Sequence, residues 1–303
     1  QNTNVVALHS RVRRDADQDK YYNCGIGIYV PYRNKMSWKY WRQKVANGLD
    51  LAFAFKFKDL ILDTYRWLSE TYRPGDKIFL FGFSRGAYQV RTLAGMIETV
   101  GLIDPGNHKL IPLFVLKLTD GMVTNNGSEA SKIAENFKRT FSRDVRIHFV
   151  GVWDTVSSVG VFRGKPLPLT SSVTHICTFR HALALDERRV KFLPEYIDSG
   201  NSATSKRKAG HHPIDVKEVW FAGSHSDMYE NISLNLSSVP LLWMENEADA
   251  AGLRLEPRAG GGVWDLQDLQ THDVHESLQG GWRPMEYLPF TRLSFQAAGK
   301  TTR

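Results

Sequence analysis

Residues 77–100 constrain the fold more than any other stretch of the chain. Lys77-Ile78-Phe79-Leu80-Phe81 is short and nearly all apolar, as expected of a strand covered on both faces. It runs into Gly82-Phe83-Ser84-Arg85-Gly86. Ala87, Val90, Leu93, Ala94, Ile97 and Val100 then recur at three- and four-residue intervals, a helical stripe that stops near Gly101. A bare G-x-S-x-G says little, but one with a buried strand entering and a helix leaving predicts a nucleophile elbow. Such a turn strains the serine backbone, so side chains two residues to either side are expected to collide. The hydroxyl then stands above the sheet edge, and the helix N-terminus with the Arg85 N–H offers donors to an oxyanion. The bland alternative is a glycine-rich turn that packs against its neighbours or binds phosphate.

The surrounding pattern predicts one α/β domain over residues 1–303, a mostly parallel sheet with helices on both faces. Leu49, Phe53, Phe57, Leu60, Ile61, Tyr65 and Leu68 predict a helix across 50–72, stopped by Pro74-Gly75. The flexible stretches are expected at Thr124–Ser131, Asp198–His212 and Glu256–Gly262, none long enough to link two folding units. Two cysteines, Cys24 and Cys177, exclude a disulfide scaffold and a cysteine-rich zinc module. The net charge of +7 is dispersed: residues 1–50 carry nine basic against four acidic groups, and 245–276 two against eight. With no recognition module in sight, nucleic acid is not an expected partner. No apolar run approaches membrane-spanning length.

A serine hydroxyl needs a base, and the base needs an orienting carboxylate. Two further strands each deliver a candidate at the C-terminal end, where sites gather in open α/β sheets. Val145–Trp153 is followed by Asp154-Thr155-Val156, and Val216–Gly223 by Ser224-His225-Ser226-Asp227. Ser84, Asp154 and His225 thus occur in the chain order of α/β-hydrolases, 70 and 71 residues apart. Asp154 could instead cap a turn, and His225 could be a structural turn histidine.

His275, in Thr271-His272-Asp273-Val274-His275-Glu276, is the alternative base. Its H-x-x-H spacing also admits a metal, but helical pairs favour i,i+4 and need a third ligand, so no metal is expected. His181–Arg189 reads as the end of an amphipathic helix with a dense charge network, in which Arg188 is a candidate substrate contact. Phe83, beside the serine, is another. Gly25-Ile26-Gly27 lacks the third spaced glycine of a dinucleotide site, so no cofactor is expected.

These residues together resemble an α/β-hydrolase domain family that includes the Tle-type phospholipase effectors of bacterial type VI secretion. The resemblance is carried by Tyr72–Tyr88, Thr3–Val6, Gly151–Val156, His181–Arg189, Val219–Asp227 and His275–Pro289. Leu241-Leu242-Trp243-Met244-Glu245 with Ala251-Gly252-Leu253 is more similar to the fungal branch. The resemblance implies a serine esterase of the lipase or phospholipase kind, with Ser84, Asp154 and His225 as its triad. A lipid or small-molecule ester would be the substrate, with peripheral membrane contact.

Three departures stand out. Family members begin with a strand ending in an Asp-Gly-Thr turn, so the first strand and the second oxyanion donor are expected to be missing from this chain. Met228-Tyr229-Glu230-Asn231 stands where the family has glycines, and Ala52-Phe53-Ala54-Phe55 replaces a glycine-rich lead. If 228–231 displaces His225, the chain is an inactive scaffold or binding protein. Few cysteines and no visible leader favour an intracellular setting, although Asn126, Asn231 and Asn235 head sequons that would matter in a secreted chain.

Overall fold

The computed structural model describes residues 3–24, 57–112, 127–156, 175–189, 192, 194–197, 214–228, 236–258, 274–279, 283, 291–293 and 300–302. In chain order the elements are α1 (Asn4–Arg11), α2 (residues 57–71), β1 (Ile78–Phe83), α3 (Arg85–Val100), β2 (Leu102–Ile103), α4 (Gly127–Phe141), β3 (Ser142–Arg143), β4 (Ile147–Trp153), β5 (Ile176–Ala184), β6 (Asp215–Phe221), α5 (Ser238–Ala250), β7 (Thr291–Leu293) and β8 (Lys300–Thr302). The central sheet has the order β1-β4-β5-β6, and all three pairings are parallel. Parallel neighbours need crossover connections, and between β1 and β4 this crossover carries α3 and α4. Two antiparallel pairs, β2-β3 and β7-β8, lie outside it.

The strand side chains alternate between two cores. Ile78 and Leu80 of β1, with Val150 and Val152 of β4 and Phe179 of β5, face Ile61 and Tyr65 of α2, Leu93 and Ile97 of α3, and Phe137 of α4. Phe79, Phe81 and Phe83 point the other way, with Phe149, Trp153 and Ala182, onto Leu8 of α1 and Leu241, Met244 and Ala248 of α5. An α/β architecture with helices on both faces of a mostly parallel sheet is therefore borne out.

Long-range ties fix the layers. The buried Tyr65 hydroxyl donates to the Gly101 carbonyl (2.8 Å) and accepts the Ile103 N–H (2.9 Å), locking α2 to the end of α3. Burial pushes this phenol up to about 12. On the opposite face the buried Glu245 of α5 binds Arg11 of α1 and Arg258 (2.7 Å).

Two expectations are corrected. The block containing His181 is the C-terminal half of a strand and its exit, because β5 is a central strand whose residues from Phe179 to Ala184 are buried on both sides. The loop expected at 124–131 is helical from Gly127, since α4 needs its first turns to set Ala134 and Phe137 into the core. The expected helix over 50–72 is present from 57 to 71; its earlier part, with Ala52–Phe55, lies outside the described residues.

Candidate active site

The strand, turn and helix expected around Ser84 are present. β1 ends at Phe83, Ser84 adopts φ 55°, ψ −119°, and α3 begins at Arg85. Positive φ on a residue with a side chain costs energy and persists only where packing enforces it. Here the Ser84 N–H is held by the Trp153 carbonyl (2.9 Å), so the turn is anchored to the neighbouring strand. Asp154, one residue past the end of β4, is the other non-glycine residue with positive φ (41°) among the described ones. Phe83 and Trp153 are register partners, so serine and aspartate leave adjacent strands at the same height.

His225 has further to come. β6 lies three strands from β1, about 14 Å at the usual strand spacing, more than an imidazole spans. The segment after β6 therefore folds back across the end of β5. Asp186 pins it by accepting the Gly223 N–H (2.7 Å) and donating its own N–H to the Gly223 carbonyl (3.0 Å). Glu187 then accepts the His225 N–H (3.1 Å). As a result His225 Nε2 lies 2.9 Å from Ser84 Oγ, and its Nδ1 meets the Asp154 carboxylate. Asp154 Oδ1 also accepts the Ala184 N–H (3.3 Å).

Aromatic rings confine the imidazole. Phe83 stacks on it at 4.8 Å between centroids, and Phe192 meets it edge-on at 5.0 Å. Phe192 is itself covered by the Arg189 guanidinium, 3.7 Å from the ring centroid, and Arg189 binds Glu187 through Nε (2.8 Å) and Nη2 (2.7 Å). Burial alone would raise the Glu187 carboxyl, but its bonds to Arg189 carry it below the usual carboxylate range.

The remaining sequence candidates fall elsewhere. The alternative base His275 is 73% exposed at its side chain and directs Nδ1 to Asp227 (2.5 Å), which also accepts its N–H (3.2 Å). His272 lies outside the described residues. Arg188 is exposed and pairs with Glu276 (2.9 Å), with its N–H on Ser277 Oγ. Met228 closes the short 3-10 turn that begins at His225, and 229–231 lie outside the described residues. The Arg85 N–H occupies the first position of α3, the end of the helix that carries partial positive charge.

Of the two elbow glycines, only Gly82 is demanded by space. A Cβ there would sit 2.4 Å from the Gly86 carbonyl oxygen, whereas a Cβ on Gly86 would meet nothing nearer than Gln89 Oε1 at 4.0 Å. The expectation that both exclude a side chain is thus corrected: the helix turns Gly86 outward. A groove of about 1120 Å³ follows the outer side of β1 and reaches the elbow at Gly82, Phe83 and Gly86.

Glu187 and Phe192 escaped the sequence reading as neighbours of His225. The charge cluster at 186–189 was the visible signal for Glu187; Phe192 carried none.

Comparison with known proteins places this geometry in context. An uncharacterised protein of Saccharomyces cerevisiae, YEL023C, is 38% identical over 202 residues, which is 63% of this chain and 29% of that protein's length. Two solved structures are similar. One is the Tle1 effector bound to the VgrG spike of the type 6 secretion system (18% identity, 77% of this chain and 42% of that one, TM-score 0.39). The other is an uncharacterised protein from Pseudomonas aeruginosa (21% identity, 69% and 29%, TM-score 0.34). The family model described as "T6SS, Phospholipase effector Tle1-like, catalytic domain" matches residues 1–247, and the chain belongs to that family.

Proposed function

We propose that this chain is a serine hydrolase of carboxylic esters, of the lipase or phospholipase kind, acting through Ser84, His225 and Asp154. Membership of a phospholipase catalytic family supports the hydrolase class. The observation that carries the mechanism is His225 bridging Ser84 Oγ and the Asp154 carboxylate through its two ring nitrogens. With a carboxylate at Nδ1, the ring proton resides there, and Nε2 presents its lone pair to the serine O–H.

In the proposed reaction Ser84 Oγ attacks the ester carbonyl while Nε2 takes its proton. The Arg85 N–H, at the positive end of α3, stabilises the tetrahedral oxyanion. His225 then protonates the leaving alcohol, and water repeats the sequence on the acyl-enzyme. Phe83 and Phe192 keep water off the imidazole faces and hold its orientation. The groove beside β1, of mixed polar and apolar lining, carries Phe81, Phe83, Val90 and Leu93 at the end near Ser84, side chains that suit a lipid-like acyl group.

The inactive-scaffold alternative required His225 to be displaced from Ser84, and the 2.9 Å contact argues against it. Labelling with a fluorophosphonate tests the reading directly. Wild type should be modified at Ser84 and S84A should not; folded wild-type protein that stays unlabelled would sink the catalytic reading.

A further inference from the structure

We propose that His181 is a positioning residue for the reaction above: its neutral imidazole holds the Asp154–Thr155 turn, and through it the carboxylate that orients His225. The proposal rests on the Ser84–His225–Asp154 reading for its catalytic consequence, but not for its structural part.

His181 is completely buried on β5, in register with Val152 of β4 and Glu218 of β6. Its Nε2 accepts the Thr155 N–H at 3.1 Å, and its Nδ1 lies 3.0 Å from Glu218 Oε1. A backbone N–H can only donate, so Nε2 must carry a lone pair and the ring proton must sit on Nδ1, shared with Glu218. Both nitrogens are therefore assigned, and the ring is neutral. Glu218 Oε1 also accepts the Ile197 N–H (3.2 Å), so the carboxylate is itself fixed.

Thr155 directly follows Asp154, whose φ of 41° needs outside support. The Thr155 peptide unit and its successor supply that support from two sides. The N–H is tied to His181, and the carbonyl accepts the Glu195 N–H at 2.9 Å. Without the Nε2 acceptor, a buried N–H next to the catalytic acid would lose its partner, and the turn would be freed toward an unstrained conformation.

The charged groups around the ring are consistent with a neutral latch. Burial lowers the His181 proton affinity, Arg91 of α3 lowers it further, and Glu218 and Asp154 oppose them. A protonated ring would present N–H to N–H at Thr155. The second histidine–carboxylate pair thus lies behind the first, in a place where it touches neither substrate nor serine.

Three variants of the whole chain separate positioning from packing. H181L removes the acceptor, H181Q restores a neutral group with one acceptor and one donor, and S84A sets the background. Hydrolysis of a p-nitrophenyl ester should show kcat falling about 10- to 100-fold in H181L, by analogy with the outer-shell partners of metal-binding side chains, with KM changed less than about twofold. H181Q should recover most of the loss. Wild-type turnover in H181L, or an H181Q as impaired as H181L, would overturn the proposal. Should H181L not fold, ¹⁵N imidazole spectra of the wild type decide: a proton on His181 Nε2 at pH 7.5, or a rapidly exchanging Thr155 amide, would refute it. Those spectra do not depend on catalysis, so an inactive wild type with a protected Thr155 amide would sink the hydrolase reading and leave the His181–Thr155 contact standing.

Discussion

Gly82 faces the carbonyl of Gly86 so closely across the elbow that a Cβ on Gly82 would lie 2.4 Å from that oxygen. Ser84 sits between them at φ 55°, and the first turn of α3 folds back over the end of β1. The closeness is backbone to backbone, so no rotamer change can relieve it. G82A should therefore destabilise by about 1–3 kcal/mol, the usual cost of overpacking. G86A should be neutral or stabilising by up to about 1 kcal/mol, because alanine favours a helix over glycine. Urea unfolding of the two variants measures the contrast; equal losses would show that the elbow is not tight where the geometry puts it.

Under the proposed mechanism, S84A should lower kcat by about 10⁶ and D154N by about 10⁴, by analogy with protease triads. Loss should appear in kcat, since neither side chain is assigned to substrate binding. An ester panel run on wild type and both variants reads it. Activity that survives in S84A at more than trace level would reject Ser84 as nucleophile.

Acid should weaken the fold through His181. Its native proton affinity is lowered below the ordinary value of 6.5, with burial as the main cause. As pH falls below about 6.5, the unfolded chain takes up a proton that the native ring refuses, so stability declines with falling pH. The contribution is complete above the unfolded value and is lost progressively beneath it. Denaturation midpoints at pH 7.5, 6.5 and 5.5 should fall more steeply for wild type than for H181Q. Parallel curves would mean that His181 titrates alike in both states.

Arg189 and Glu187 form a part-buried pair that supports the main chain of His225 and the ring of Phe192. Removing Arg189 alone leaves a carboxylate without its charged partner; breaking a fully buried pair from one side costs about 3–5 kcal/mol, and this part-buried pair should cost less. R189M should therefore be less stable than the double variant R189M/E187Q, in which the stranded charge is gone. Both should lose kcat, because His225 is less firmly held. A double-mutant cycle by urea unfolding checks the sign; additive losses would deny the coupling.

Much of the site was legible because it is written locally. Strand, elbow and helix at 77–100 involve contacts between residues close in sequence, and their period, glycine and stripe survive in the sequence as pattern. Asp154 and His225 were legible for the same reason, since Asp154 directly follows β4 and His225 lies four residues past the end of β6. His181 was misread as belonging to a helix end because its strand is buried on both faces, which erases the alternation that marks a strand. The role expected of Gly86 failed because pattern carries no information on which way a Cβ points.

The sequence by itself determined the strand–Ser84–helix unit, the α/β class, the family and the three residues that converge. Only the tertiary structure decided how they converge. The order β1-β4-β5-β6 places a whole strand between those of Asp154 and His225, so the histidine must be carried back over β5 by Asp186 and Glu187. It also sets His181 under Thr155 across 26 residues of chain, and Glu187 under His225 across 38. Pairings over such separations depend on strand order and register, which the side-chain period of each strand leaves open.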